Sequence, residues 1–113
     1  MPQINKMYSS SPPQGQQLDL RLRNSWTAGL RDIPLQELLQ TLTINSVAPF
    51  VLVSSLQPLL LKSPNTRKFV VNVSAMEGQF SRVNKGSRHP HTNMAKAALN
   101  MLTRTTGLEL QQV

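Results

Sequence analysis

Phe69-Val70-Val71-Asn72-Val73 is the stretch on which the fold class turns. It is short, β-branched and aromatic, and turn-forming residues bound it at Pro64-Asn65 and beyond Ser74. Such a run predicts a strand buried on both faces, the kind found in parallel sheets covered by helices. Helical patterns lie on either side. Asp32 is placed to cap a helix, and Pro34 falls in its first turn, where a missing N–H costs little. Apolar residues then recur at Leu35, Leu38, Leu39, Leu42, Val47, Phe50, Val53, Leu56 and Leu60, ending near Lys62. The spacing predicts one helix of roughly 40 Å, apolar around much of its circumference and so packed on more than one side. A polar, basic loop runs from Ala75 to about Pro90. A second helix opens at His91 or Thr92, with a stripe of Met94, Ala97, Ala98, Met101, Leu102, Thr105 and Leu108; Met94 and Met101 read as core residues at helical spacing. The order helix, strand, helix predicts an α/β fold.

The rest of the chain is less regular. Residues 1–17 are rich in Ser, Pro and Gln and read as poorly ordered. Leu18, Leu20 and Leu22 alternate with Asp19, Arg21 and Arg23, which suggests a short edge strand. Pro49 sits inside the first helix and cannot donate to the carbonyl of Asn45, so a kink is expected there.

Composition excludes several classes. There is no cysteine among the 113 residues, hence no disulfide framework and no thiolate metal site. His89 and His91, separated by a proline and without a nearby acid, make a poor metal site, so no metal is expected. His91 reads as an exposed histidine at a helix start. The formal charge is +7, but the basic residues are scattered, apart from Arg82, Lys85, Arg88, His89 and His91. No aromatic interleaving or RNP pattern accompanies them, so no specific nucleic acid is expected as partner. The stretch from Val47 to Leu61 is short for a bilayer and interrupted by prolines and polar residues. With no secretory pattern at the start, the chain reads as soluble and cytoplasmic, with no membrane partner.

Three short motifs carry a resemblance. Thr43-Ile44-Asn45-Ser46-Val47-Ala48-Pro49-Phe50 lies in the first helix. Val70-Val71-Asn72-Val73-Ser74-Ala75-Met76-Glu77-Gly78 spans the strand and its exit. Thr92-Asn93-Met94-Ala95-Lys96-Ala97-Ala98-Leu99 opens the second helix. In order and spacing they resemble the central section of short-chain dehydrogenases/reductases, over about Asn24 to Val113. Asn24-Ser25-Trp26 and the string from His89 to Met101 resemble an atypical fungal and plant branch with Thr at the usual Tyr position. The resemblance implies an incomplete Rossmann-type three-layer fold of long helix, central parallel-type strand and long helix. It divides the chain into a poorly ordered segment, 1–23, and a partial domain, 24–113, lacking the Gly-rich nucleotide-binding start.

The resemblance also implies an oxidoreductase chemistry, with NAD or NADP as cofactor and four catalytic positions. Lys96 takes the place of the lysine that holds the nicotinamide ribose and lowers the pKa of a neighbouring acid/base. Asn45 takes the place of the asparagine whose carbonyl anchors a proton-relay water, and the loss of the Pro49 donor gives a physical reason for water to sit there. Thr92 stands where the family has its Tyr, and an aliphatic hydroxyl makes a poor general acid near neutral pH. The substrate-orienting Ser aligns with Ala75, leaving Ser74, one residue off, as the candidate. The five glycines are isolated, so the phosphate-cradling turn of a dinucleotide fold is missing, which argues against cofactor binding and turnover by this chain alone. Two readings follow: an NAD(P)-dependent dehydrogenase/reductase fragment, inactive by itself, or a non-enzymatic remnant or helix-mediated interaction module; a third, an anion- or nucleic-acid-binding protein using the Arg82–His91 loop, rests on charge alone. Either is expected to form a homo-oligomer through the two long helices, whose apolar stripes are otherwise exposed.

Overall fold

The apolar pattern from Leu35 to Lys62 is helical throughout, in three pieces. In the computed structural model, which describes residues 19–111, α1 (Leu35–Leu42) runs into a π-helical segment (Thr43–Val47) and then α2 (Ala48–Lys62). Pro49 explains the join. A proline ring crowds the carbonyl four residues back and brings no donor, and widening the turn relieves that crowding. The Ala48 N–H accordingly reaches back five residues to the Thr43 carbonyl. In that wider register the donor missing at Pro49 would have served Ile44 rather than Asn45. Pro58 interrupts α2 a second time. α2 ends at Lys62, where Ser63 turns extended before Pro64.

α3 (Pro90–Gln111) is the longest single helix. Proline at its first position is favoured because the absent N–H would have had no partner there. The His89 carbonyl accepts from both Thr92 N–H and Asn93 N–H at 3.2 Å. His89 itself sits in the left-handed region at φ 41°, where a single His, Asn or Asp is tolerated best among non-glycine residues. Asn24 shapes the segment that meets it. Its side-chain oxygen accepts from the Trp26 and Thr27 N–H groups at 3.0 and 3.1 Å, an Asx turn. The Ala28 carbonyl then accepts the His89 N–H at 2.8 Å.

The seam between helices is narrow. His91, Ala95 and Leu99 are the buried residues of α3, one turn apart on a single face. That face meets α1 and the π segment, where the Ser46 hydroxyl donates to the Ala95 carbonyl at 2.9 Å. On the other side, a 3₁₀ turn at Met76–Gly78 leans on α3. A Cβ at Gly78 would stand 2.7 Å from the Lys96 carbonyl carbon and 2.9 Å from the Ala97 nitrogen, so only glycine fits this approach.

The α/β expectation is corrected: the described residues contain helices and no strand, and therefore no Rossmann-type three-layer arrangement. Phe69–Val73 has the composition of a strand but no neighbour to pair with, and a strand exists only as part of a ladder about 4.8 Å from the next one. Two of its polar groups bond to α3 instead: Asn72 Nδ2 donates to Thr103 Oγ1 at 3.0 Å, and Lys96 Nζ to the Val73 carbonyl at 2.7 Å. Phe69, Val71 and Val73 are left exposed. The expected edge strand fails likewise. Leu18 lies outside the described residues, and Leu20–Arg23 is irregular. There Arg21 folds back onto Asp19 at 2.7 Å, and its hydrogen bonds hold that carboxyl below the usual range. The disorder expected for residues 1–17 falls outside the described residues.

The expected core stripe of α3 is corrected too. Met94, Met101 and Leu108 are exposed, because α1, the π segment and the 3₁₀ turn cover only the side carrying Ala95 and Leu99.

Gly78→Ala is expected to destabilise the fold by about 1–3 kcal/mol through overpacking against the α3 backbone. Urea denaturation followed by circular dichroism checks it, and an unchanged midpoint would contradict the close approach.

Candidate functional site

Two clefts flank the start of α3, and four buried polar atoms without hydrogen-bond partners divide between them. The first cleft, of about 570 Å³, lies between α1 and α3 and is lined by Trp26, Glu37, Asn45, His91 and Thr92 among others. His91 is 4% exposed, so the expected exposed histidine is a buried one. Its Nε2 stands 3.2 Å from Glu37 Oε1, an ion-pair distance whenever the ring is protonated. The pair lacks the alignment of a hydrogen bond, however, and Glu37 Oε1 and His91 Nδ1 both remain without a partner. Buried polar groups without partners are rare enough to mark a site.

The second cleft, of about 480 Å³, lies on the other side of the helix start and is lined by Glu77, Arg82, Lys85, Arg88, His89 and Asn93 among others. Its unpartnered buried atoms are His89 Nδ1 and Asn93 Oδ1. The His89 ring packs edge-on to Trp26 with centroids 5.1 Å apart, so one aromatic contact separates the two clefts. The two histidines thus serve different clefts, and the described residues contain no group of three or more acidic or histidine side chains able to hold a metal.

The residues singled out from the sequence are only partly gathered. Asn45 and Thr92 share the first cleft. Asn45 and Lys96 share a third, between α2, α3 and the Val70–Val73 segment. Asn45 lies in the π segment, and its Nδ2 donates to the Thr41 carbonyl at 3.0 Å. Lys96 is committed to the Val73 carbonyl. Ser74 lines none of these three clefts: its hydroxyl bonds to Asn100 Oδ1, while Asn100 Nδ2 donates to the Gly78 carbonyl at 3.2 Å. Ser74 and Lys96 therefore clamp the 72–78 segment to α3. Sequence reasoning missed Glu37 and the aromatic contact between Trp26 and His89. The carboxylate looks like an ordinary solvated position of an amphipathic helix, and only the fold brings it to His91.

Among curated proteins, the chain is similar to an uncharacterised protein of Acanthamoeba polyphaga mimivirus, 34% identical over 90 residues covering 80% of this chain. The chain spans 19% of the length of that relative. No family model matches. No solved structure matches either. The Rossmann expectation is corrected: a Rossmann-type site lies at the ends of parallel strands, and the described residues form none. The oxidoreductase expectation finds no support, since the matched relative is uncharacterised.

Lys96→Met tests the clamp. Losing a charge-assisted bond of about 1.5–3 kcal/mol should speed limited proteolysis within the 69–75 segment about tenfold or more, with α1 uncleaved. Unchanged cleavage in that segment would show that Lys96 does not hold it.

Proposed function

We propose that this chain is a helix-mediated interaction module whose partner is a second copy of itself. One observation carries the reading. Among the described residues the buried hydrophobic ones are Ala95 and Leu99 alone, while Phe50, Leu52, Leu56, Leu59, Met94 and Met101 stand exposed on α2 and α3. On α3 the exposed residues Met94, Ala98, Met101, Thr105 and Leu108 recur on one face. Beside it, α2 is joined to α3 through Gln57 Nε2 and Glu109 Oε1 at 3.3 Å.

A soluble monomer rarely leaves so many large apolar side chains outside its core. Each such side chain recovers about 1.5–3 kcal/mol on full burial. A handful per protomer therefore offsets the roughly 4–15 kcal/mol that association costs in lost freedom. The chemistry of the surface favours a like partner. α2 carries no charged side chain before Lys62, so two copies can meet there without opposing charges. A two-fold arrangement lets the same patch serve both sides.

Sedimentation equilibrium over micromolar concentrations is expected to give twice the chain mass, and Leu59→Glu combined with Met101→Glu is expected to give a helical monomer. A helical wild-type chain that stays monomeric throughout would overturn the reading. So would insertion as a monomer into neutral lipid vesicles, because Leu35–Lys62 is long and apolar enough, by length and composition, to cross a membrane.

A further inference from the structure

The second cleft holds an imbalance that the interaction-module reading does not use. Arg82, Lys85 and Arg88 all line it, and none has a carboxylate within ion-pair distance among the described residues, whose ion pairs lie elsewhere. Glu77 is the single acidic residue of the lining. Two of the cations are tied to the adjoining 3₁₀ turn by neutral groups: Lys85 Nζ donates to the Glu77 carbonyl at 2.5 Å, and Arg82 Nη2 contacts Met76 Sδ. Three like charges gathered around one concavity repel each other unless an anion joins them.

We propose that this cleft binds a small phosphate-bearing ligand, with Arg82, Lys85 and Arg88 as its anion contacts. Guanidinium groups match phosphate oxygens in pairs, and lysine adds a point charge. A volume of about 480 Å³ lies in the range of small-molecule sites. That points to a phosphomonoester or diphosphate rather than a polymer lying across the surface. A phosphorylated lipid headgroup and a free metabolite share this chemistry.

Trp26 is the sole tryptophan and touches the His89 ring, so its emission reports on the cleft. The full-length chain is titrated with sodium pyrophosphate, and with inorganic phosphate, at ionic strength fixed by chloride. Equilibrium dialysis of labelled pyrophosphate measures binding independently. The expected result is saturable binding, with pyrophosphate at least tenfold tighter than phosphate. Arg82→Gln with Arg88→Gln should weaken it tenfold or more, and Arg104→Gln, on exposed α3, should change it less than twofold. If phosphatidylcholine vesicles containing phosphatidate displace pyrophosphate, the site accepts a headgroup; if they do not, it takes the free ligand. Both outcomes keep the site. No bound label, equal weakening by Arg104→Gln, or duplex DNA that binds without displacement by pyrophosphate would each overturn it.

Discussion

Everything in this structure hangs on the close approach of α3 to its neighbours at small residues. Ala95 is fully buried, and its carbonyl accepts the Ser46 hydroxyl from the π segment. At the next two residues Gly78 presses the 3₁₀ turn onto Lys96 and Ala97. A methyl group and a hydrogen set these distances, so the elements approach nearly backbone to backbone. The contacts available at that separation are hydrogen bonds from Ser46, Lys96 and Asn100, with little interdigitation of large side chains. The same geometry that seats α3 admits Leu99 to the seam and leaves Met94, Met101 and Leu108 outside it.

A helical domain usually derives its stability from an apolar face packed against another. Here hydrogen bonds fix the arrangement of helices while most of the apolar surface lies outside it. A typical hydrogen bond contributes about 1 kcal/mol net, less than the burial of one leucine. The fold is therefore specified by its polar seam, and its largest reserve of stabilisation lies on faces that a further layer would cover. That separation of roles fits a module better than a self-sufficient domain. Wherever a second layer forms, the polar seam presents α2 and α3 to it in a fixed relative pose.

Local features were legible in the sequence and long-range ones were not. The helix bounds at Leu35 and Lys62, and a helix opening next to His91, follow from proline position and periodicity, properties of a few consecutive residues; Asp32, read as the cap, instead accepts the Gly29 N–H at 2.9 Å, and Pro34 holds the cap position. The disturbance at Pro49 was legible as well, though its form, a π turn that shifts the unserved carbonyl toward Ile44, was not. Phe69–Val73 misled because β-branched composition states a preference that only a neighbouring strand can realise; with none present, the run became an exposed strap. Of the site, Asn45 and Thr92 meet in one cleft as two residues of one helical face would not reveal, since they come from different helices. Ser74 and Lys96 spend their polar atoms on α3. Burial of His91 depends on Glu37 in α1, and no spacing rule connects the two.

Charge bears on how the apolar faces and the basic cleft act together. A second copy doubles a net charge of +7 within one particle. At physiological salt such charges interact over about 8 Å, so their cost depends on where they sit. α2 is uncharged up to Lys62, which leaves the apolar face free of direct repulsion, whereas Arg82, Lys85 and Arg88 concentrate positive potential on the loop before α3. An anion in that cleft removes charge without touching the apolar face, and so lowers the electrostatic cost of association. By linkage, association must then raise the affinity for the anion by the same factor. The coupling is bounded by screening: it grows as salt falls and vanishes when the loop is farther from its copy than the screening length. Salt dependence of self-association thus carries geometric information, because it measures how near the two basic loops lie in the assembled form.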